Sequence, residues 1–236
     1  AWWCMGNLVR SGELAAPVMQ RYELAASIAR VLSPQQQQQQ QPVEVQEEAC
    51  WIIAHVLSDG HPQDVDELLR VNVPALWEGL VRTASPGLPV GALAIVRGLG
   101  QALALGGGWV AALFSGELLR WLIHVLLQLP HPSPILQEGA WALANLCGVL
   151  AASPGARGSV GPEDCAPAVA RLLRPGAASG AATAAQAAVA LANLAAHPRG
   201  RELCRSVAQE VGPGAVAAAA AAHPEPVPAV LRVLAG

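Results

Sequence analysis

Apolar residues recur three and four apart over long stretches of this chain, with no alternation at a period of two, so the sequence reads as helix and not as strand. Inside these stretches one five-residue pattern returns: Trp3-Cys-Met-Gly-Asn7, Trp51-Ile-Ile-Ala-His55, Trp141-Ala-Leu-Ala-Asn145 and, weaker, Val189-Ala-Leu-Ala-Asn193. The last members of these copies stand 48, 90 and 48 residues apart, and the 90 is a doubled period. Near its middle lies Arg97-Gly-Leu-Gly-Gln101, with Leu99 where the other copies place Met5, Ile53, Leu143 and Leu191, which gives steps of 46 and 44. Five units at that spacing fall at the long end of helical repeat arrays, whose periods run roughly 40–47 residues. On a helix, residues four apart share a face, so the first and last members of each copy point the same way.

The punctuation fits helices between loops. Ser33-Pro34 stops a helical stretch that runs from Glu13 to Leu32, because the residue before proline is pushed out of the α region. Seven glutamines, Gln35 to Gln41, then make a low-complexity loop insertion over 33–43. Ser58-Asp59-Gly60 closes the Trp51 helix with a C-cap glycine. Further helices are expected over 64–70, 73–83, 89–105, 117–129, 137–150, 165–173, 181–196, 199–208 and 216–222, with a thin last one near 227–234. The prolines at 130, 132 and 134 mark a boundary, since proline is tolerated in a first turn and hostile to a helix interior.

Composition turns this pattern into an expectation of one array over 1–236 rather than separate globular domains, because solenoid units contact only their neighbours. Hydrophobic residues make up 53 % but aromatics only 4 %, so much of the apolar mass is small alanine that lets helices pack closely. With 14 basic and 17 acidic residues the net charge is −3, and no basic field is present to hold nucleic acid. Cys4, Cys50, Cys147, Cys165 and Cys204 form no Cys-x-x-Cys pair, and their odd number disfavours a disulfide framework; buried reduced thiols in a cytoplasmic or nuclear protein are expected. Trp109 to Leu129 is apolar but carries Glu117, Arg120 and His124 and is interrupted at Ser115-Gly116, which argues against a membrane span in this segment. The chain starts without methionine inside a repeat helix and reads as a fragment.

Laid out as short helix, helix and long helix, with Trp-x-x-x-Asn on the long one, the chain resembles the armadillo family, and Glu48-Ala-Cys-Trp51 and Glu138-Gly-Ala-Trp141-Ala-Leu-Ala-Asn145 are similar to importin-alpha repeats. The resemblance implies an all-α, armadillo-type right-handed α-solenoid. It also implies a concave groove lined by Trp and Asn that holds basic nuclear localisation peptides, a transport-receptor partner, and residence in cytoplasm and nucleus. Carried onto this sequence, the peptide-binding positions are Trp3, Asn7, Trp51, His55, Arg97, Gln101, Trp141, Asn145 and Asn193. An Asn amide offers a donor and an acceptor to an extended backbone, and a Trp face one turn away holds a Lys or Arg head. This chain departs from the family at His55, at Arg97 and Gln101, and at Val189, and a cation at Arg97 would repel a basic peptide. A diverged array that binds a folded protein partner is therefore the alternative.

Other roles compete for the same residues. A tryptophan taken singly is as readily a core residue, and Trp77, Trp109 and Trp121, outside the register, are expected in the core. Asn7, Asn145 and Asn193 could equally bond an adjacent helix, since buried amides must be satisfied. His55 and His61 are six apart and His124 and His131 seven, with no cysteine at a zinc spacing, so no metal or other cofactor is expected. Gly98, Gly100 and Gly106 to Gly108 follow no strand and precede no Gly-Lys-Ser/Thr, so they read as helix breaks and not as a phosphate loop. The adjacent carboxylates Glu47/Glu48 and Glu163/Asp164 point apart on a helix, and no Gly-x-Ser-x-Gly elbow exists; the chain is not expected to be an enzyme.

Overall fold

A computed structural model describes residues 4, 6–7, 23–33, 41–84, 86–130, 132–155, 158–174 and 180–222. Among them every regular element is a helix. The chain divides into two compact units, Ala1–Leu118 and Leu119–Gly236.

In the first unit, after helical residues Cys4, Gly6 and Asn7, come α1 (Leu24–Leu32), α2 (Val43–Asp59), α3 (Pro62–Arg70), α4 (Val73–Ala84), α5 (Ala92–Leu105) and α6 (Gly107–Phe114). The second unit holds α7 (Leu118–Gln128), which begins at the boundary, then α8 (Pro134–Ala152), α9 (Pro162–Leu173), α10 (Ala181–Ala196), α11 (Gly200–Val211) and α12 (Pro213–Ala221). Prolines open α3, α8, α9 and α12 at their first turn, where the missing N–H would have no partner anyway. Ser33 ends α1 in extended backbone ahead of Pro34. Most of the glutamine tract, the stretch 13–22, Trp3 and the expected helix near 227–234 lie outside the described residues.

The long helices pack on one another: α2 on α5 in the first unit, and α8 on α10 in the second. Shorter helices pack likewise, α1 on α4 and α9 on α11, so each unit has one layer of long helices and one of short ones. The core between the layers is aliphatic, with Ile52, Ile53, Leu68, Ile95 and Leu99 fully enclosed in the first unit, and Leu143, Leu146, Leu172 and Leu194 in the second. Side chains of neighbouring helices also close the helix ends. Glu78 of α4 accepts the Glu117 N–H at 2.7 Å just ahead of α7, and Arg171 of α9 donates to the Leu126 and Leu129 carbonyls at the end of α7.

Two expectations from the sequence need correction. Gly98 and Gly100 do not break a helix; both sit in the interior of α5. At Gly98 the missing side chain allows close approach, since a Cβ there would lie 2.5 Å from Cη2 of Trp77, a ring wholly enclosed in the core. The break falls at Gly106, which adopts a left-handed φ of 74°. Second, Trp77 and Trp109 are core residues but Trp121 is only half-buried. It shares its helical stripe with exposed Glu117, His124 and Gln128, while Leu118, Leu119, Leu122, Val125 and Leu126 take the core face of α7.

The apolar run from Trp109 to Leu129 splits into two helices, α6 and α7, with Ser115-Gly116 between them. By length and composition alone α8 could cross a bilayer; half of its apolar window is buried in the fold, where it packs on α10.

Candidate functional site

Four copies of the repeated pattern lie on the long helices α2, α5, α8 and α10, and the described residues of the first copy, Cys4, Gly6 and Asn7, are helical. In each of these four the middle residue is enclosed, Ile53, Leu99 and Leu143 at 0 % and Leu191 at 1 % exposure. The first and last residues are half-buried in every one: Trp51 and His55, Arg97 and Gln101, Trp141 and Asn145, Val189 and Asn193. At 3.6 residues per turn a residue two along points away from the pair that brackets it, so a core-directed middle residue forces its flanks toward the surface. Asn7, on the partly described first copy, is half-buried as well. The repeat thus writes a stripe of large polar and aromatic groups onto the outward edge of each long helix, and the packing of α2 on α5 and of α8 on α10 sets two stripes side by side in each unit.

The copies differ in what their side chains do. On α2 the His55 ring stacks on Trp51, centroids 5.9 Å apart and planes inclined by 24°, so one indole face is already covered. On α5 a cation, Arg97, takes the place of the aromatic ring and Gln101 that of the amide. On α10 the Asn193 Nδ2 donates to the Ala144 carbonyl of α8 at 2.9 Å, across the helix pair. Gly148, one turn after Ala144, leaves the room for this reach: a Cβ there would come 3.4 Å from Asn193 Nδ2. Asn193 therefore ties two helices together, and its donor serves the fold. On α8 Trp141 and Asn145 are half-buried, one turn apart on the same face.

The same edge holds a depression of about 350 Å³ between α8 and α10, walled by Gln137, Glu138 and Trp141 on one side and by Ala182, Ala185 and Gln186 on the other. It joins an indole, a carboxylate and two amides over a floor of alanine. An indole face attracts a cation, a carboxylate completes its neutralisation, and primary amides bond an extended backbone. Gln137, Glu138 and Gln186 are absent from the sequence-derived set. The signal that could have found them is their spacing, because Glu138 and Gln186 each precede the first residue of their copy by three and so stand one turn back on the same face.

No protein-family model matches the chain, and no curated protein matches it. Among solved structures it is similar to a designed armadillo repeat protein in complex with the peptide (KR)4, with 16 % identity, a TM-score of 0.69, and coverage of 99 % of this chain and 90 % of that one. The fold is therefore all-α and of the armadillo type, an α-solenoid of helical repeats.

Proposed function

We propose that the chain is a peptide-binding armadillo module whose working surface is the Trp141/Asn145 edge of α8 together with the depression shared with α10. The observation that carries this reading is the juxtaposition of Trp141, Glu138 and Gln186 around one depression, on the face where the repeat stacks its half-buried residues. The ligand it fits is an extended segment with a Lys or Arg side chain, the head against the indole and the backbone against the amides. The designed neighbour is a complex with an alternating Lys-Arg peptide, which supports the same chemistry. The finer form of the proposal is an importin-alpha-like adaptor that takes basic nuclear localisation peptides to a transport partner, in cytoplasm and nucleus. In the first unit Trp51 and His55 would offer a corresponding surface of its own.

A second reading has its own observations. Asn193 bonds Ala144, His55 covers Trp51, and Arg97 brings positive charge to the stripe. These favour a diverged scaffold for a folded partner, with cationic recognition confined to α8.

Titration of the chain with a labelled Lys-Arg repeat peptide separates the two. Asn145→Ala should weaken binding by roughly 1 kcal/mol, the usual net worth of a hydrogen bond, and Trp141→Ala should weaken it further. Arg97→Trp with Gln101→Asn should tighten it. If the parent ignores the peptide, or both single variants stay folded and bind as the parent does, the peptide-groove reading falls and the scaffold reading stands.

A further inference from the structure

Asp64 is the only buried carboxylate among the described residues, with 4 % of its surface exposed. It stands in the first turn of α3, where an aspartate ordinarily accepts one of the backbone N–H groups that the helix leaves over. Here those donors are taken. The imidazole Nδ1 of His61 accepts the Gln63 N–H at 3.3 Å, and the His61 carbonyl accepts the N–H groups of Asp64 at 2.9 Å and Val65 at 3.2 Å. Arg70, the cation of this helix, pairs with Glu67. Asp64 Oδ2 is left enclosed without a hydrogen-bond partner.

What this position costs depends on one proton, because an ionised carboxylate shut away from donors is far less stable than the neutral acid. Burial therefore raises the pKa of Asp64 from its ordinary 3.8; His61 pulls it down and the Glu67 carboxylate pushes it up. The surrounding elements bring no cation to offset this. The end of α2 next to α3 carries Asp59, and Glu23 precedes α1, both further anions. Arg30 of α1 and Arg82 of α4 are bonded within their own helices, to the Ser27 hydroxyl and the Glu78 carbonyl, and the Glu78 carboxylate accepts the Glu117 N–H. The helix itself is lightly held. Besides Asp64, α3 buries only Val65 and Leu68, and it lies between Gly60 and Asn72, whose φ of 57° is left-handed. Elements with so little apolar burial are among the first to open.

We infer that Asp64 is a pH-sensitive latch on α3: protonated, it keeps the first turn of the helix seated on the first unit, and ionised, it drives that turn outward to where water can solvate the carboxylate. The latch concerns α3 alone and goes beyond the peptide-binding reading. The folded-state pKa lies above the unfolded value, so the stability it lends is complete below pH 3.8 and is lost as pH rises through the folded value. At neutral pH α3 is loose, and Val65 and Leu68 come to the surface more often than in acid.

Hydrogen exchange of the α3 amides, read by NMR on the full chain for the parent and for Asp64→Asn between pH 4 and pH 7, tests it, with the neutral amide standing in for the protonated acid. At pH 7 the variant should protect the amides of residues 65–70 about fivefold better than the parent, with the gap closing as pH falls and the amides of α9 in the second unit alike in both proteins. Equal protection of α3 at pH 7, a gap that does not change with pH, or an equal gain in α9 would each overturn the inference. Where Asp64→Asn does not fold, a carbon-13 titration of the Asp64 carboxyl in the parent decides: a value above 3.8 is expected, and a value at or below it overturns the latch.

Discussion

The contact between Gly98 and Trp77 allows a sharp test of how the core of the first unit is packed. In an ordinary helix interior Gly98→Ala would stabilise by up to about 1 kcal/mol, the propensity difference between the two residues. Here the added Cβ would meet Cη2 of Trp77 at 2.5 Å and Cζ2 at 2.9 Å, against the roughly 3.5–4.0 Å at which carbon atoms rest. The ring has to retreat by about 1 Å, and Trp77 is fully enclosed. Overpacking a filled core costs typically 1–3 kcal/mol, and a rigid ring struck at two atoms belongs at the upper end. Subtracting the propensity gain leaves a net loss of about 2 kcal/mol. Equilibrium urea unfolding followed by circular dichroism reads it directly, with an unchanged slope showing that the folded state is otherwise kept. Gly148→Ala is the matched control, a helix-interior glycine whose nearest foreign atom is the Asn193 amide at 3.4 Å; it should be neutral or mildly stabilising. In a Trp77→Leu background the penalty of Gly98→Ala should vanish. A Gly98→Ala protein as stable as the parent, or more so, would refute the argument.

Arg171→Met removes the charged donors from the Leu126 and Leu129 carbonyls and should cost about 1.5 kcal/mol, the low end for hydrogen bonds to charged groups because the site is part-exposed; a melting temperature equal to the parent's would show that water replaces the guanidinium without loss. The thiols offer a pH test. Burial pushes Cys50 up to about 12 and Cys204 to about 11, and raises Cys147, which lies beside Cys165. Their folded pKa values exceed the unfolded value of 9.0, so the stability these groups sustain is complete below pH 9 and is lost as pH rises through the folded values. Thermal midpoints should fall between pH 9 and 11, and iodoacetamide at pH 8 should label exposed Cys4 quickly and the four buried cysteines only on unfolding. Rapid labelling of Cys50 in the folded protein would contradict its burial.

Periodicity in the sequence was enough to determine the class of fold. The period of 44 to 48 residues located even the degenerate copy at Arg97–Gln101 on a helix, because the spacing of repeats is set by how many residues one stacked unit needs, and a few preserved apolar positions suffice to reveal it. The helix end at Ser33 was legible from Pro34, since proline acts on its neighbour locally, whereas α3, α8 and α9 begin at Pro62, Pro134 and Pro162, two or three residues before the starts expected at 64, 137 and 165, because proline is tolerated in a first turn. The half-buried stripe was legible too, because residues four apart on a helix share a face whatever it packs against. Tertiary structure decided the rest. Gly98 looked like a break and became a point of contact only through Trp77, some twenty residues away. Trp121 went to the half-buried side because six aliphatic neighbours filled the core side of its helix. Asn193 read from the sequence as a candidate peptide-binding amide, yet its donor closes on the Ala144 carbonyl, which depends on how two helices lie against each other. The burial of Asp64 had no local signal at all, since a carboxylate in a first helical turn is ordinary until the fold packed around it shuts out the water that would otherwise solvate it.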